Sequence, residues 1–98
     1  PYTLSLHDAL PIYGVRFKLK TMSLQDYLEK SFDQLISRKA TVKVQNDHIA
    51  IMFGALVIRY NVYKREISIM GGIDHMDIAS LVIALVRLYE VDYLGHEN

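Results

Sequence analysis

Between Thr41 and Met70 apolar residues recur at every second position through four runs, and each pair of neighbouring runs is separated by two residues. No other feature constrains the fold as tightly. The pattern predicts four strands at 41–45, 48–53, 56–63 and 66–70, joined through Asn46-Asp47, Gly54-Ala55 and Lys64-Arg65. Asn and Asp tolerate the positive φ of a primed hairpin turn and a leading Gly suits its mirror-image type, whereas Lys-Arg is a poor turn pair. Two-residue hairpins set Gln45 opposite His48, Phe53 opposite Leu56 and Tyr63 opposite Glu66. Counting from these pairs places Val42, Val44, Ile49, Ile51, Phe53, Leu56, Ile58, Tyr60, Val62, Ile67 and Ile69 on one face. A slip of one residue in any loop would scatter that set over both faces. The opposite face is mixed, with expected cross-strand rows of Lys43, Ala50, Arg59 and Met70, and of Gln45, His48, Asn61 and Ser68.

Helices are expected on either side of this meander, because the same start signal occurs twice. Met22-Ser23-Leu24-Gln25-Asp26-Tyr27 and Ile73-Asp74-His75-Met76-Asp77-Ile78 each place an apolar residue before a cap, an acid three positions after the cap, and another apolar residue behind it. Ser23 and Asp74 can accept from the free amides of the first turn, and Asp26 and Asp77 add negative charge at the positive helix end. Leu24, Tyr27, Leu28, Phe32, Leu35 and Ile36 then form one stripe of the first helix. The second helix is expected to follow Gly71-Gly72, run to about Leu94 and close at Gly95. Its polar stripe is narrow, defined by Asp77, Ser80, Ala84 and Arg87, and apolar residues cover the rest of its circumference. Such a helix must be covered on more than one side. The sheet can cover one side, leaving Leu81, Leu85, Leu88 and Tyr89 as candidates for an oligomer contact. The expected fold class is therefore α+β: helix, four-stranded antiparallel meander, helix.

The segment ahead of the first helix has a different character. Residues 2–12 read Tyr-Thr-Leu-Ser-Leu-His-Asp-Ala-Leu-Pro-Ile. This stretch resembles a translated Illumina-type sequencing adapter, whose codons ACT CTT TCC CTA CAC GAC GCT CTT CCG ATC supply Thr3 through Ile12 without a mismatch. The two bases before them complete a TAC codon for Tyr2, and the leftover T begins a tyrosine codon, as Tyr13 requires. The resemblance implies that residues 1–12 are an artefact and not a domain, that His7 and Asp8 are no catalytic pair, and that this segment lacks specific packing. The domain then comprises residues 13–98, or 22–98 if Met22 is the start. Tyr13, Val15, Phe17 and Leu19 alternate with Arg16, Lys18 and Lys20, which allows an extra strand at 13–20; untranslated leader carried into the reading frame is the alternative.

Charge and composition exclude more than they indicate. Removing residues 1–12 takes away Asp8 and leaves eleven basic against ten acidic residues; starting at Met22 also removes Arg16, Lys18 and Lys20, leaving eight against ten. Neither balance implies nucleic acid or an anionic membrane by field alone. Cysteine is absent, which rules out disulfides and thiolate zinc sites and makes a cytoplasmic location the expectation. The apolar run from Ile78 to Leu88 is interrupted by Ser80 and Arg87 and is shorter than the roughly 20 residues a membrane span needs.

The residues show no catalytic, metal or cofactor pattern. Asp74, His75 and Asp77 are close in sequence, but two of them serve as helix caps and no other histidine has a ligand spacing to His75. His48 beside Asp47 reads as a polar hairpin tip. Met70-Gly71-Gly72 before a helix has the form of a phosphate loop, yet Asp74 and Asp77 would repel an anion there. The more credible surface is the mixed sheet face, with Lys43, His48, Met52, Val57, Arg59, Asn61 and Tyr63 as candidate partner-binding residues. The expectation is a non-catalytic protein-interaction module, homodimeric through the C-terminal helix or bound to another protein. A nucleic-acid accessory protein of phage or mobile-element type, using the sheet face, is the alternative.

Overall fold

The computed structural model describes residues 2–6, 22–33, 40–72 and 78–96. In chain order the elements are β1 (Tyr2–Ser5), α1 (Leu24–Asp33), β2 (Thr41–Val44), β3 (His48–Phe53), β4 (Leu56–Asn61), β5 (Glu66–Met70) and α2 (Ile78–His96). The architecture is α+β, but the sheet has five strands where four were expected. Its order is β1-β5-β4-β3-β2 with every neighbouring pair antiparallel.

The first two hairpins have the expected register, with Gln45 donating its amide to the His48 carbonyl at 2.9 Å and Phe53 facing Leu56. Gly54 takes φ 58°, as the leading position of its turn requires. Neither Asn46 nor Asp47 adopts the positive φ expected of a primed turn. Instead the Asp47 carbonyl accepts the amide of Val62 at 2.9 Å, tying this hairpin to the third.

The third hairpin departs from expectation by two residues. Asn61, not Tyr63, faces Glu66, so the loop is four residues long, 62–65. The cause is local: Asn61 Oδ1 accepts the amides of Tyr63 at 3.1 Å and Lys64 at 3.0 Å, and Arg65 turns the chain at φ 53°. A slip of two keeps every side chain on its own face, so Val42, Ile49, Ile51, Phe53, Leu56, Ile58, Tyr60, Ile67 and Ile69 are all buried. Val44 and Val62 pack at the margin of the same core.

Helix α1 starts where its sequence signal places it. The Asp26 amide donates to Ser23 Oγ at 3.1 Å and the Tyr27 amide to the Ser23 carbonyl at 3.0 Å. Tyr27, Leu28 and Phe32 face inward, with Phe32 edge-on to Phe53 at a ring separation of 5.0 Å. The expected partners Leu35 and Ile36 lie outside the described residues, as does the cap at Asp74.

Two expectations are overturned. Helix α2 runs through Gly95 to His96 instead of closing at Gly95. The N-terminal residues, expected to lack specific packing, form β1 along the outer edge of β5, and Leu6 behind it is fully buried. The physical reason is that β5 offers an unpaired backbone edge and Tyr2-Thr3-Leu4-Ser5-Leu6 alternates in phase with it, directing Leu4 and Leu6 to the core. The strand expected at 13–20 lies outside the described residues.

Candidate interaction surfaces

Helix α2 is turned opposite to expectation. Ser80, Ala84, Leu88 and Asp92, spaced at every fourth position, form its buried row, so Ser80 and Ala84 of the stripe read as polar face the core. Ser80, Ala84 and Leu88 are each almost wholly enclosed, and Ala84 and Leu88 belong to the hydrophobic core. Ile78, Val82 and Val86 are exposed at 53%, 53% and 40%. Together with half-buried Tyr89 and Tyr93 they make a ridge without a charged side chain. Of the residues expected at an oligomer contact, Leu81, Leu85 and Tyr89 are half-buried flanks of this ridge. Leu88 is wholly inside the core and cannot reach a partner.

Two buried acids fix this rotation. Asp92, fully enclosed, accepts Tyr60 Oη at 2.8 Å and Arg65 Nε at 3.0 Å on Oδ1, and Arg65 Nη2 at 2.8 Å on Oδ2. Glu90 accepts Tyr27 Oη at 2.9 Å and Arg87 Nη1 at 3.0 and 3.2 Å. The Arg87 guanidinium also lies 5.7 Å from the centre of the Tyr27 ring and donates from Nε to Ser31 Oγ at 3.2 Å. Among the described residues no buried side-chain nitrogen or oxygen lacks a partner. Rolling α2 to bury its apolar ridge would break both clusters and leave the Tyr27 and Tyr60 hydroxyls without their acceptors.

The electrostatic consequences follow from these contacts. Burial, then the hydrogen bond to Glu90, pushes the Tyr27 hydroxyl up to about 12. Burial and the hydrogen bond to Asp92 raise Tyr60 in the same way. The hydrogen bond to Asp92 raises Arg65. A tyrosine placed in a core needs a partner for its hydroxyl, and that requirement was the one sequence signal that could have found these acids.

The outer sheet face is not covered by any described element. Its central row is Lys43, Ala50, Arg59 and Ser68, with Met70 shifted to face Val57 because of the third hairpin. Lys43 and Arg59 are exposed on either side of Ala50, and Met52 and Val57 are half-buried beside Met70. His48 belongs to a row with Asn61 and Glu66, not with Ser68, and its Nδ1 lies 2.8 Å from Asp47 Oδ1. That contact holds the exposed Asp47 carboxyl below the usual carboxylate range. Two candidates are displaced from the roles expected of them. The Asn61 side-chain oxygen is taken up by the turn, and Tyr63 lies in the loop at 75% exposure, not on the strand where a base would stack.

Among the described residues no group of three or more His, Asp or Glu side chains can hold a metal ion, and Asp74, His75 and Asp77 lie outside them. No described helix is long and apolar enough to cross a membrane. Comparisons with protein-family models, curated proteins and solved structures find no significant match.

Proposed function

We infer that this protein is a non-catalytic interaction module that pairs with a second copy of itself through α2. The observation that carries the reading is the solvent-facing ridge of Ile78, Val82 and Val86 on a helix whose rotation is locked by Asp92 and Glu90. An isolated surface helix presents its polar side to water; this one buries its acids and presents valine and isoleucine. From Ile78 to Tyr93 the ridge is about 22 Å long at 1.5 Å per residue, enough for two helices to pack along several turns. Sedimentation velocity at micromolar concentration tests it, with a dimer expected for the native chain and a folded monomer for Val82→Glu. A native chain that is monomeric throughout would remove the reading.

Lys43 and Arg59, exposed on one row of the uncovered sheet face, favour a second reading as a nucleic-acid accessory protein. Among the described residues no aromatic side chain lies on this face for stacking, so phosphate contacts would carry such binding and make it strongly salt-dependent. Retention on immobilised DNA or RNA at low salt, lost on Lys43→Glu with Arg59→Glu, separates this reading from the first.

A further inference from the structure

The solvent-facing side of α2 is graded in size from one end to the other. Ala79, Val82, Val86, Tyr89 and Tyr93 are spaced alternately three and four residues apart, the repeat that keeps one seam of a helix against a partner helix. Ala79, Val82 and Val86 are exposed, and Tyr89 and Tyr93 are half-buried. The first half of the seam is therefore low and the second half carries rings. None of the five is charged, so ion pairs along the seam cannot set the direction in which a second copy lies on it. Side-chain volume sets it instead, because apposed helices pack at the density of a protein interior and voids between them are costly.

We propose that the two copies of α2 lie antiparallel, with Val82 against the partner's Tyr93 and Val86 against the partner's Tyr89. This rests on the pairing through α2 and fixes its direction and register. Each of the four central layers then joins one valine to one tyrosine, and the helix axes keep one separation along the seam. A parallel pair would instead set Tyr89 on Tyr89 and Tyr93 on Tyr93 at one end, and Ala79 and Val82 on their own copies at the other. The rings would hold the axes apart and leave a gap at the small end. The helix is not free to bend into that gap, because its other side is buried along Ser80, Ala84, Leu88 and Asp92. Sliding an antiparallel copy by seven residues sets Tyr89 against Tyr93 in one direction; in the other it sets Val82 against Val86 and leaves Tyr93 outside. The antiparallel direction also brings the positive end of each helix dipole beside the negative end of the other.

The chain contains no cysteine, so introduced thiols report this geometry directly. Val82→Cys and Tyr93→Cys, refolded together under oxidised glutathione, are expected to give a covalent dimer joining position 82 of one copy to position 93 of the other. Either variant alone is expected to stay uncross-linked, since identical positions then lie about 16 Å apart along the seam at 1.5 Å per residue. A cross-link in Val82→Cys alone, or none in the mixture while the variants sediment as dimers, overturns the proposal and leaves the pairing standing. A native chain that sediments as a monomer removes the pairing itself and the proposal with it. Exchanging volumes gives an independent readout. Val82→Tyr sets ring on ring and Tyr93→Val leaves a gap, so each alone is expected to dimerise at least about tenfold more weakly than the native chain. Mixed in equal amounts, the two restore one valine and one tyrosine to both altered layers and are expected to associate as tightly as the native chain. A mixture no tighter than its components overturns the proposal.

Discussion

Arg65 concentrates two opposing effects in one residue. Its backbone, at φ 53°, is left-handed, which costs a side-chain-bearing residue about 1–2 kcal/mol, while its guanidinium neutralises the enclosed Asp92. Arg65→Ala keeps the strain and strands the carboxylate, so a loss of about 3–5 kcal/mol is expected in urea denaturation. Arg65→Gly loses the same ion pair but relaxes the turn, and is expected to be about 1 kcal/mol milder than alanine. Equal losses would show that the turn stores no strain. Tyr27 gives the second residue-scale prediction. Its folded pKa, about 12, lies above the ordinary value of 10, so the folded state holds this proton more tightly than the unfolded chain. The resulting stability is complete below pH 10 and is lost as pH rises from 10 toward 12. Tyr27→Phe is therefore expected to be less stable than the native chain at neutral pH, by about 1 kcal/mol. It should also show a shallower fall between pH 10 and 12, checked by denaturation at a series of alkaline pH values.

At the scale of elements, the chain leaving β5 passes close to the Gly54-Ala55 turn. Gly71 takes φ 90°, and a Cβ there would sit 1.9 Å from the Ala55 carbonyl oxygen. Gly71→Ala must push the Gly54-Ala55 turn away from the end of β5 and is expected to cost more than about 1 kcal/mol. Gly72, with nothing near its absent Cβ, is expected to accept alanine within about 0.5 kcal/mol. Thermal denaturation of the two variants separates them. The sheet was legible in the sequence because a period of two assigns faces even where a loop is misjudged: the Lys64-Arg65 turn was wrong by two residues, and Ile67 and Ile69 still face the core. The rotation of α2 was not legible. Hydrophobicity patterns score residues singly, whereas Glu90 and Asp92 are buried through partners elsewhere in the sequence, Tyr60 and Arg65 on the third hairpin and Tyr27 on α1. The two tyrosines on inward-facing positions were the available signal, since each hydroxyl demanded an acceptor. β1 was missed for another reason: the origin of a segment does not decide whether an open strand edge will accept it.

For the whole molecule, these clusters make folding and self-association one problem. The Asp92 and Glu90 networks hold α2 in the orientation that exposes Ile78, Val82 and Val86, so the monomer cannot reduce its apolar exposure by rotating that helix without unpairing both acids. Covering the ridge with a second copy removes the exposure and leaves the networks intact. Stability should then depend on protein concentration by mass action, because only the folded chain presents the ridge. For a dimer of two such chains, the melting temperature is expected to rise by roughly 3–6 °C for each tenfold increase in concentration. Val82→Glu removes the partner without touching either acid cluster, so its melting temperature should be independent of concentration and equal to that of the native chain at high dilution. Calorimetry over a range of concentrations checks both outcomes. A native melting temperature that does not move with concentration would mean that the ridge stays uncovered, and the pairing through α2 would have to be abandoned.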